Sequence, residues 1–159
     1  MMKTNIIMTG MPGSGKSTLG MALAKKLGKD FQDVDRVIEK REGLLLQQII
    51  DQKGNDFFKQ AEENAMLSLD VENTVLAPGG SAVYSDKGMK HLKENGIVIY
   101  LKINAEEMES RIDNLATRGI VFKPGETLED MVNYREPFYE KYADKNKTEN
   151  KLLTQNVAV

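Results

Sequence analysis

A phosphate-binding loop constrains the fold of this chain more than any other feature. Residues 10–18, Gly-Met-Pro-Gly-Ser-Gly-Lys-Ser-Thr, match the pattern G-x-x-x-x-G-K-[ST] in full. The apolar residues 5–9 before the loop predict a buried strand, and an apolar stripe over residues 19–27 after it predicts a helix. In that context the loop backbone cradles phosphates, Lys16 reaches the β- and γ-phosphates, and the Ser17 hydroxyl can ligate Mg²⁺. The sequence therefore predicts nucleotide binding.

Short apolar runs alternate with helical stretches along the rest of the chain. Further strands are predicted at 31–35, 74–77 and 97–101, with helices between them and a last helix starting at Thr127. This alternation is typical of βαβ units, and it favours a parallel sheet.

The chain length of 159 residues suits a single domain. We expect one α/β domain over residues 1–159, built of three layers in which flanking helices cover a short parallel sheet of about five strands. A loop containing two glycines and a proline predicts a lid at about 117–126. The tail at 144–159 begins as a wholly polar stretch, and within it only 152–159 is a weak strand candidate.

The composition excludes several classes of site. With no cysteine and only His91, the chain has no disulfide framework, Cys-bound zinc, thiol catalyst or histidine cluster. A net charge of −2 offers no general basic surface for nucleic acid. The longest apolar run, 97–101, is far shorter than the ~20 residues that span a bilayer. We expect a cytoplasmic protein that acts on a small molecule, without a nucleic-acid or membrane partner. We also expect a monomer, although no feature of the composition determines the oligomeric state.

Two acidic residues lie at the end of the second predicted strand. If that strand covers 31–35, alternation places Asp33 and Asp35 on one face at the carboxyl edge of the sheet, where ligands bind. One carboxylate there can hold the water shell of Mg²⁺, and the other can orient an acceptor hydroxyl and take its proton. The alternative is a solvated strand end followed by a helix N-cap. The phosphate-binding loop favours the catalytic interpretation.

Other P-loop classes fit the sequence less well. The segment 51–54 has the spelling D-x-x-G of a GTPase but lies in a helical pattern. The segment 146–149 approximates N-K-x-D but ends in Glu. The strand predicted at 74–77 ends without the acidic residue that a motor ATPase needs. A small-molecule kinase is the class that remains.

The order of the motifs resembles the shikimate kinase family. The loop is followed by F-x-D-x-D at 31–35, F-[RK]-x-x-E at 58–62, a Gly-Gly pair, a basic lid and an Arg before Pro-x-Tyr, over roughly residues 5–143. The resemblance implies a P-loop fold with a five-stranded parallel sheet. It also implies transfer of the ATP γ-phosphate to the 3-hydroxyl of shikimate.

The resemblance further implies roles for individual residues, of which Lys16, Asp35 and Arg118 would be catalytic. ATP would contact Gly13, Ser14, Gly15, Lys16, Ser17, Thr18, Arg111 near the adenine, and Arg118 from the lid. Ser17 would ligate Mg²⁺, and Asp33 would contact the ion through water. The acceptor would contact Asp35, which serves as the base, together with Lys59, Gly79, Gly80 and Arg135.

Some of these residues have a second interpretation from the sequence alone. Arg135 lies on the apolar stripe of the last helix, where it needs either an anionic ligand or a structural salt bridge. Glu62 lies on the apolar stripe of its own helix and can hold a neighbouring cation. Arg118 is the first residue of the lid loop. Its position is explained nearly as well by a structural role, as a cation that stabilises the C-terminus of the preceding helix.

Four departures from the family pattern concern the acceptor site, the lid and the tail. Lys59 stands where the family has Arg, and it loses the rigid fork that matches a carboxylate. Ser81 replaces the third glycine of Gly-Gly-Gly, and Gly119 replaces the proline of the lid. A polar stretch follows Ala143, where the family has its fifth strand and an adenine contact.

The sequence therefore predicts an ATP- and Mg²⁺-dependent kinase for a hydroxyl of a carboxylated metabolite, with shikimate as the first choice. One alternative is a kinase of the same fold for another hydroxy or amino acid, such as gluconate or homoserine. A nucleotide-binding module without catalytic activity is the other alternative.

Overall fold

The computed structural model describes residues 3–11, 15–103, 106 and 124–147. Strands and helices alternate through these ranges as the sequence predicts. In chain order they are β1 (Asn5–Thr9), α1 (Lys16–Leu27), β2 (Asp30–Asp33), α2 (Val34–Glu42), α3 (Leu46–Lys53), α4 (Asn55–Leu67), β3 (Thr74–Ala77), a short 3₁₀ helix (Ala82–Tyr84), α5 (Asp86–Lys93), β4 (Gly96–Leu101), α6 (Leu128–Tyr142) and β5 (Lys145–Lys147).

The five strands form one parallel sheet in the order β2-β3-β1-β4-β5, which confirms the predicted fold class. Strand β3 lies between β1 and β2, with Ile7 opposite Leu76 and Asp33 opposite Ala77. Because parallel strands all end at the same edge, the segments that follow β1, β2 and β3 are neighbours. These segments carry the phosphate-binding loop, Asp35 and the Gly79-Gly80 pair.

The core has two parts, one on each face of the sheet. Successive side chains of β1 point to opposite faces, so Ile6 and Met8 pack with Leu19 and Leu23 of α1. Ile7 packs on the other face, with residues of the helices from α2 to α6. Burial of both faces explains why the strands are apolar runs without polar alternation.

The fifth strand lies within the polar stretch that follows α6, where the sequence gives no strand signal. Residues Lys145–Lys147 pair with Ile99–Leu101 at the edge of the sheet. Asp144 fixes the start of this strand, since its backbone N–H donates to the Val98 carbonyl at 2.9 Å and its Oδ2 accepts from the Val98 N–H at 2.8 Å. Lysine is well suited to an edge strand because its charge discourages further pairing. The expected strand at 152–159 lies outside the described residues.

None of the described helices combines the length and the apolar composition needed to cross a membrane. The predicted lid at about 117–126 lies outside the described residues except for its last three positions.

Candidate active site

The phosphate-binding loop joins β1 to α1 through glycines with positive φ. Gly10 has φ 149° and Gly15, at the N-cap of α1, has φ 94°, conformations that side-chain-bearing residues rarely adopt. The Lys16 ammonium donates to the carbonyls of Gly10 and Met11, at 3.0 Å each. Ser17 and Thr18 are exposed on the first turn of α1. Gly13 and Ser14 lie outside the described residues.

The second strand ends earlier than the sequence predicts, so Asp33 and Asp35 do not share a strand face. Asp33 is the last residue of β2 and the N-cap of α2, and its Oδ1 accepts from the Asp35 N–H at 2.9 Å. Asp35 lies in the first turn of α2. The prediction of a common strand face was wrong because the cap starts the helix two residues sooner. Both carboxylates still lie at the carboxyl edge of the sheet.

Asp35 and Glu62 converge on Gly79. A β-carbon at Gly79 would lie 2.8 Å from Asp35 Oδ1 and 3.1 Å from Glu62 Oε2, so only glycine allows both carboxylates to approach. These two oxygens are buried and have no hydrogen-bond partner among the described residues. The other oxygen of Glu62 accepts from the Ser81 hydroxyl at 2.7 Å. A buried, unpartnered carboxylate oxygen is costly unless a ligand or proton satisfies it.

Burial raises the pKa of both carboxyl groups. The pKa of Asp35 rises to about 6 because burial and the Asp33 charge disfavour ionisation, against the attraction of Lys16 and Arg36. The pKa of Glu62 rises to about 7, again because of burial. The hydrogen bond from Ser81 and the charge of Arg135 oppose that rise. A carboxyl group with a pKa near neutrality suits proton transfer at physiological pH.

We expect Glu62→Gln to stabilise the fold above pH 7 but not below pH 4.5. The pKa of Glu62 rises from 4.5 to about 7 on folding, so ionisation costs the folded state increasingly as the pH rises through that window. Gln is neutral throughout, so its advantage should grow to the order of 1–3 kcal/mol at pH 8. Urea unfolding at pH 4.5 and pH 8 measures the difference.

Glu72→Gln, at an exposed position, provides the baseline for removing one carboxylate from the surface. A stability difference between Glu62→Gln and wild type that is the same at both pH values would contradict the proposed burial of a titrating Glu62.

Arg135 is held rigidly on the inner face of α6. Its side chain is only 1% exposed, and its Nε donates to the Tyr84 hydroxyl at 2.9 Å. Arg135 also forms a hydrogen bond with the Tyr139 hydroxyl, which itself donates to the Gly80 carbonyl at 2.6 Å. These contacts place a guanidinium next to the glycine pair that follows β3.

Lys59 lies on the exposed side of α4, near the same tyrosine. Its ammonium lies 5.4 Å from the centre of the Tyr84 ring, and the Arg135 guanidinium carbon lies 5.2 Å from that centre. The structure thus brings Lys59 and Arg135 together around one aromatic ring, with Gly80 close by. Two cations at one site favour binding of an anionic group.

Two further residues, Ser81 and Tyr84, belong to this site, and neither of the contacts that they make is predicted from the sequence. Ser81 stands where the family has a glycine, and its hydroxyl donates to the Glu62 carboxylate. The side chain of Ser81 therefore points towards Glu62. Tyr84 contacts both cations, yet a tyrosine after a Gly-Gly-Ser turn carries no recognisable pattern. Arg111 and Arg118, predicted for ATP, and Gly119 lie outside the described residues.

The residues present fit a magnesium ion that arrives with phosphates. The described residues contain no cluster of three or more His, Cys, Asp or Glu that could hold a resident metal. They do offer the exposed Ser17 hydroxyl in the first turn of α1 and the partly exposed Asp33 at the end of β2, at the same edge of the sheet. Mg²⁺ typically takes only one or two protein ligands and completes its shell with phosphate oxygens and water.

Comparison with known proteins gives a consistent result. The sequence model of the shikimate kinase family matches residues 12–159. A shikimate kinase of Haemophilus influenzae (strain PittEE) is 39% identical over 146 residues, which cover 89% of this chain and 81% of that protein. The shikimate kinase of Pasteurella multocida is 40% identical over 146 residues, covering 89% and 83% respectively.

A solved structure is similar to this chain in both fold and sequence. The shikimate kinase of Acinetobacter baumannii, in complex with shikimate, superposes with a TM-score of 0.81 at 31% identity, over 92% of this chain and 83% of that one. The family match spans most of the chain, and the two curated relatives are 39% and 40% identical over the 146 aligned residues. The chain belongs to the shikimate kinase family.

Proposed function

We propose that this protein transfers the γ-phosphate of ATP to the 3-hydroxyl of shikimate, with Mg²⁺ as the metal. The observation that carries the proposal is the buried, unpartnered Oδ1 of Asp35. It lies at the sheet edge against Gly79, and the charge of Lys16 at the phosphate-binding loop acts on it. The next residue, Gly80, is linked through Tyr139 to Arg135. A base held between a phosphate site and a carboxylate site suits phosphorylation of a small hydroxy acid.

The phosphate-binding loop and the start of α1 hold the nucleotide. Backbone N–H groups of Gly13, Ser14 and Gly15 surround the phosphates, Lys16 binds the β- and γ-phosphates, and the first turn of α1 adds its dipole. Ser17 would ligate Mg²⁺, Asp33 would contact the ion through water, and Thr18 contacts ATP. The ion would neutralise charge on the phosphates. Arg111 contacts the adenine, and Arg118 of the lid closes on the phosphates.

Asp35 acts on the acceptor hydroxyl. It orients the hydroxyl oxygen in line with the γ-phosphorus and accepts its proton as the new P–O bond forms. The bond between the γ-phosphorus and its bridging oxygen breaks at the same time, and ADP leaves with that oxygen. The pKa of about 6 leaves Asp35 mostly ionised at pH 7, ready to take a proton. Positioning and charge stabilisation supply most of the rate, because this transition state needs little covalent help.

The acceptor is held by its carboxylate, while its hydroxyl faces Asp35. Arg135 and Lys59 bind its carboxylate, and Gly79 and Gly80 let the backbone approach its ring. The complex of the A. baumannii enzyme with shikimate supports this choice of acceptor. We further propose that the chain acts as a monomeric single domain in the cytoplasm, without nucleic-acid or membrane partners.

A panel of acceptors tests the function directly. We expect ADP release, followed by a coupled assay, to depend on shikimate and to be much slower with gluconate or homoserine. We include these alternative acceptors because Lys59 and Ser81 both differ from the family pattern at the acceptor site. Equal or faster turnover with another acceptor would contradict shikimate as the substrate and identify that acceptor instead. Binding of ATP without release of ADP for any acceptor would favour a non-catalytic module.

A further inference from the structure

Tyr84 contacts both cations of the acceptor site. It ends the short 3₁₀ helix Ala82–Tyr84, directly after the glycine turn, and is half-buried. Its ring packs edge-on against Phe138, with the centres 5.1 Å apart, and this contact fixes the ring plane. Lys59 and Arg135 lie within 5.4 and 5.2 Å of its centre. None of the roles implied by the family resemblance involves this residue.

The Tyr84 hydroxyl has a proton left to donate. The oxygen accepts a hydrogen bond from Arg135 Nε at 2.9 Å, which directs the phenolic hydrogen away from the guanidinium. The described residues provide no acceptor for that hydrogen. Burial raises the pKa of Tyr84 and outweighs the charge and hydrogen bond of Arg135, which lower it, so the phenol stays protonated at neutral pH. Arg135 thus orients a neutral donor at the edge of a cationic site.

Lys59 by itself binds a carboxylate with little directional selectivity, so a hydrogen-bond donor beside it would add selectivity. It makes no ion pair with any residue in the described ranges, and it contacts the face of Tyr84. Its ammonium is a point charge that cannot grip both oxygens of a carboxylate as an arginine fork does. A second directional donor beside it would restore the lost geometric selectivity.

We propose that Tyr84 determines acceptor specificity by donating its phenolic hydrogen to the acceptor carboxylate, beside Lys59 and Arg135. This assignment rests on the proposed function, because it names the group of the acceptor that the phenol binds. A site with a directional donor rejects an analogue that cannot accept the bond well. The acceptor class is therefore a carboxylic acid in its ionised form, and the neutral ester of the same compound should bind poorly.

The test compares Tyr84→Phe with wild type on shikimate and on its methyl ester, at saturating ATP and Mg²⁺. Phe keeps the ring contacts, so the fold should survive, which a thermal melt checks. We expect the KM for shikimate to rise about 10-fold, the value for one lost hydrogen bond to a charged group. The kcat and the KM for ATP should stay within about 2-fold of wild type. The preference for the acid over the ester should fall by the same 10-fold.

Tyr142→Phe is the matched control. Tyr142 is the last residue of α6, and its hydroxyl donates to Asp86 at 2.6 Å, outside the acceptor site. The control should keep the wild-type preference for the acid. If Tyr84→Phe also keeps that preference, the role of Tyr84 is refuted even when overall activity falls. If wild type releases no ADP with shikimate, the proposed function itself has failed, and the two outcomes are thereby distinguished.

Discussion

Replacing Asp35 by Asn should lower acceptor-dependent turnover by roughly 10²–10⁴-fold while leaving the affinity for ATP within about 2-fold of wild type. Asn has the same shape but cannot accept the proton of the attacking hydroxyl. The Asp35 carboxylate lies against Gly79 and is assigned to the acceptor hydroxyl, so nucleotide binding should survive. Steady-state ADP release and equilibrium titration with a nucleotide analogue measure the two effects separately.

Asp30→Asn is the control for this substitution. Asp30 is an exposed aspartate at the start of β2, the strand that precedes the helix of Asp35, and its replacement should leave turnover unchanged. A wild-type rate for Asp35→Asn would contradict the assignment of Asp35 as the base. Loss of ATP binding in the same variant would instead indicate a nucleotide-binding role for Asp35.

The sequence predicted most of the fold because the signals were local and strong. Strands β1 and β3 have the bounds that the apolar runs indicate, and Gly28 stops α1 in the left-handed conformation that favours glycine. Where the signal was a choice between two local structures, the prediction failed. Asp33 fits both a strand end and a helix cap, and only the structure shows that the cap prevails.

The parts that the sequence could not give depend on contacts between distant segments. The pairing of Ser81 with Glu62 joins residues 19 positions apart, and the contact of Arg135 with Tyr84 joins residues 51 positions apart. Strand β5 is held by the edge of β4 and by Asp144, so its own polar residues carry no hydrophobic pattern. None of these contacts leaves a periodic trace in a single sequence.

Replacing Lys16 by Met should weaken both nucleotide binding and turnover, in contrast to Asp35→Asn. The ammonium donates to the carbonyls of Gly10 and Met11, which keeps it at the phosphate-binding loop. Loss of a positive charge that stabilises the transferred phosphoryl group should lower kcat by roughly 10²–10³-fold. The KM for ATP should rise by about 10-fold or more, since a hydrogen bond to a charged group is lost.

Lys26→Met, in the exposed last turn of the same helix, provides the matched control and should behave as wild type. A thermal melt of Lys16→Met separates a binding defect from a loop that no longer folds. Unchanged kinetics for ATP in a folded Lys16→Met protein would show that the loop does not serve the nucleotide as proposed.

The most direct test of the central claim is the identity of the product. Wild-type protein is incubated with shikimate, Mg²⁺ and ATP, and the products are quantified by mass spectrometry and phosphorus NMR. We predict one phosphorylated shikimate, carrying a phosphate monoester at the 3-hydroxyl, for each ADP formed. Formation of ADP with free phosphate and unchanged shikimate, or no ADP at all, would contradict the proposal.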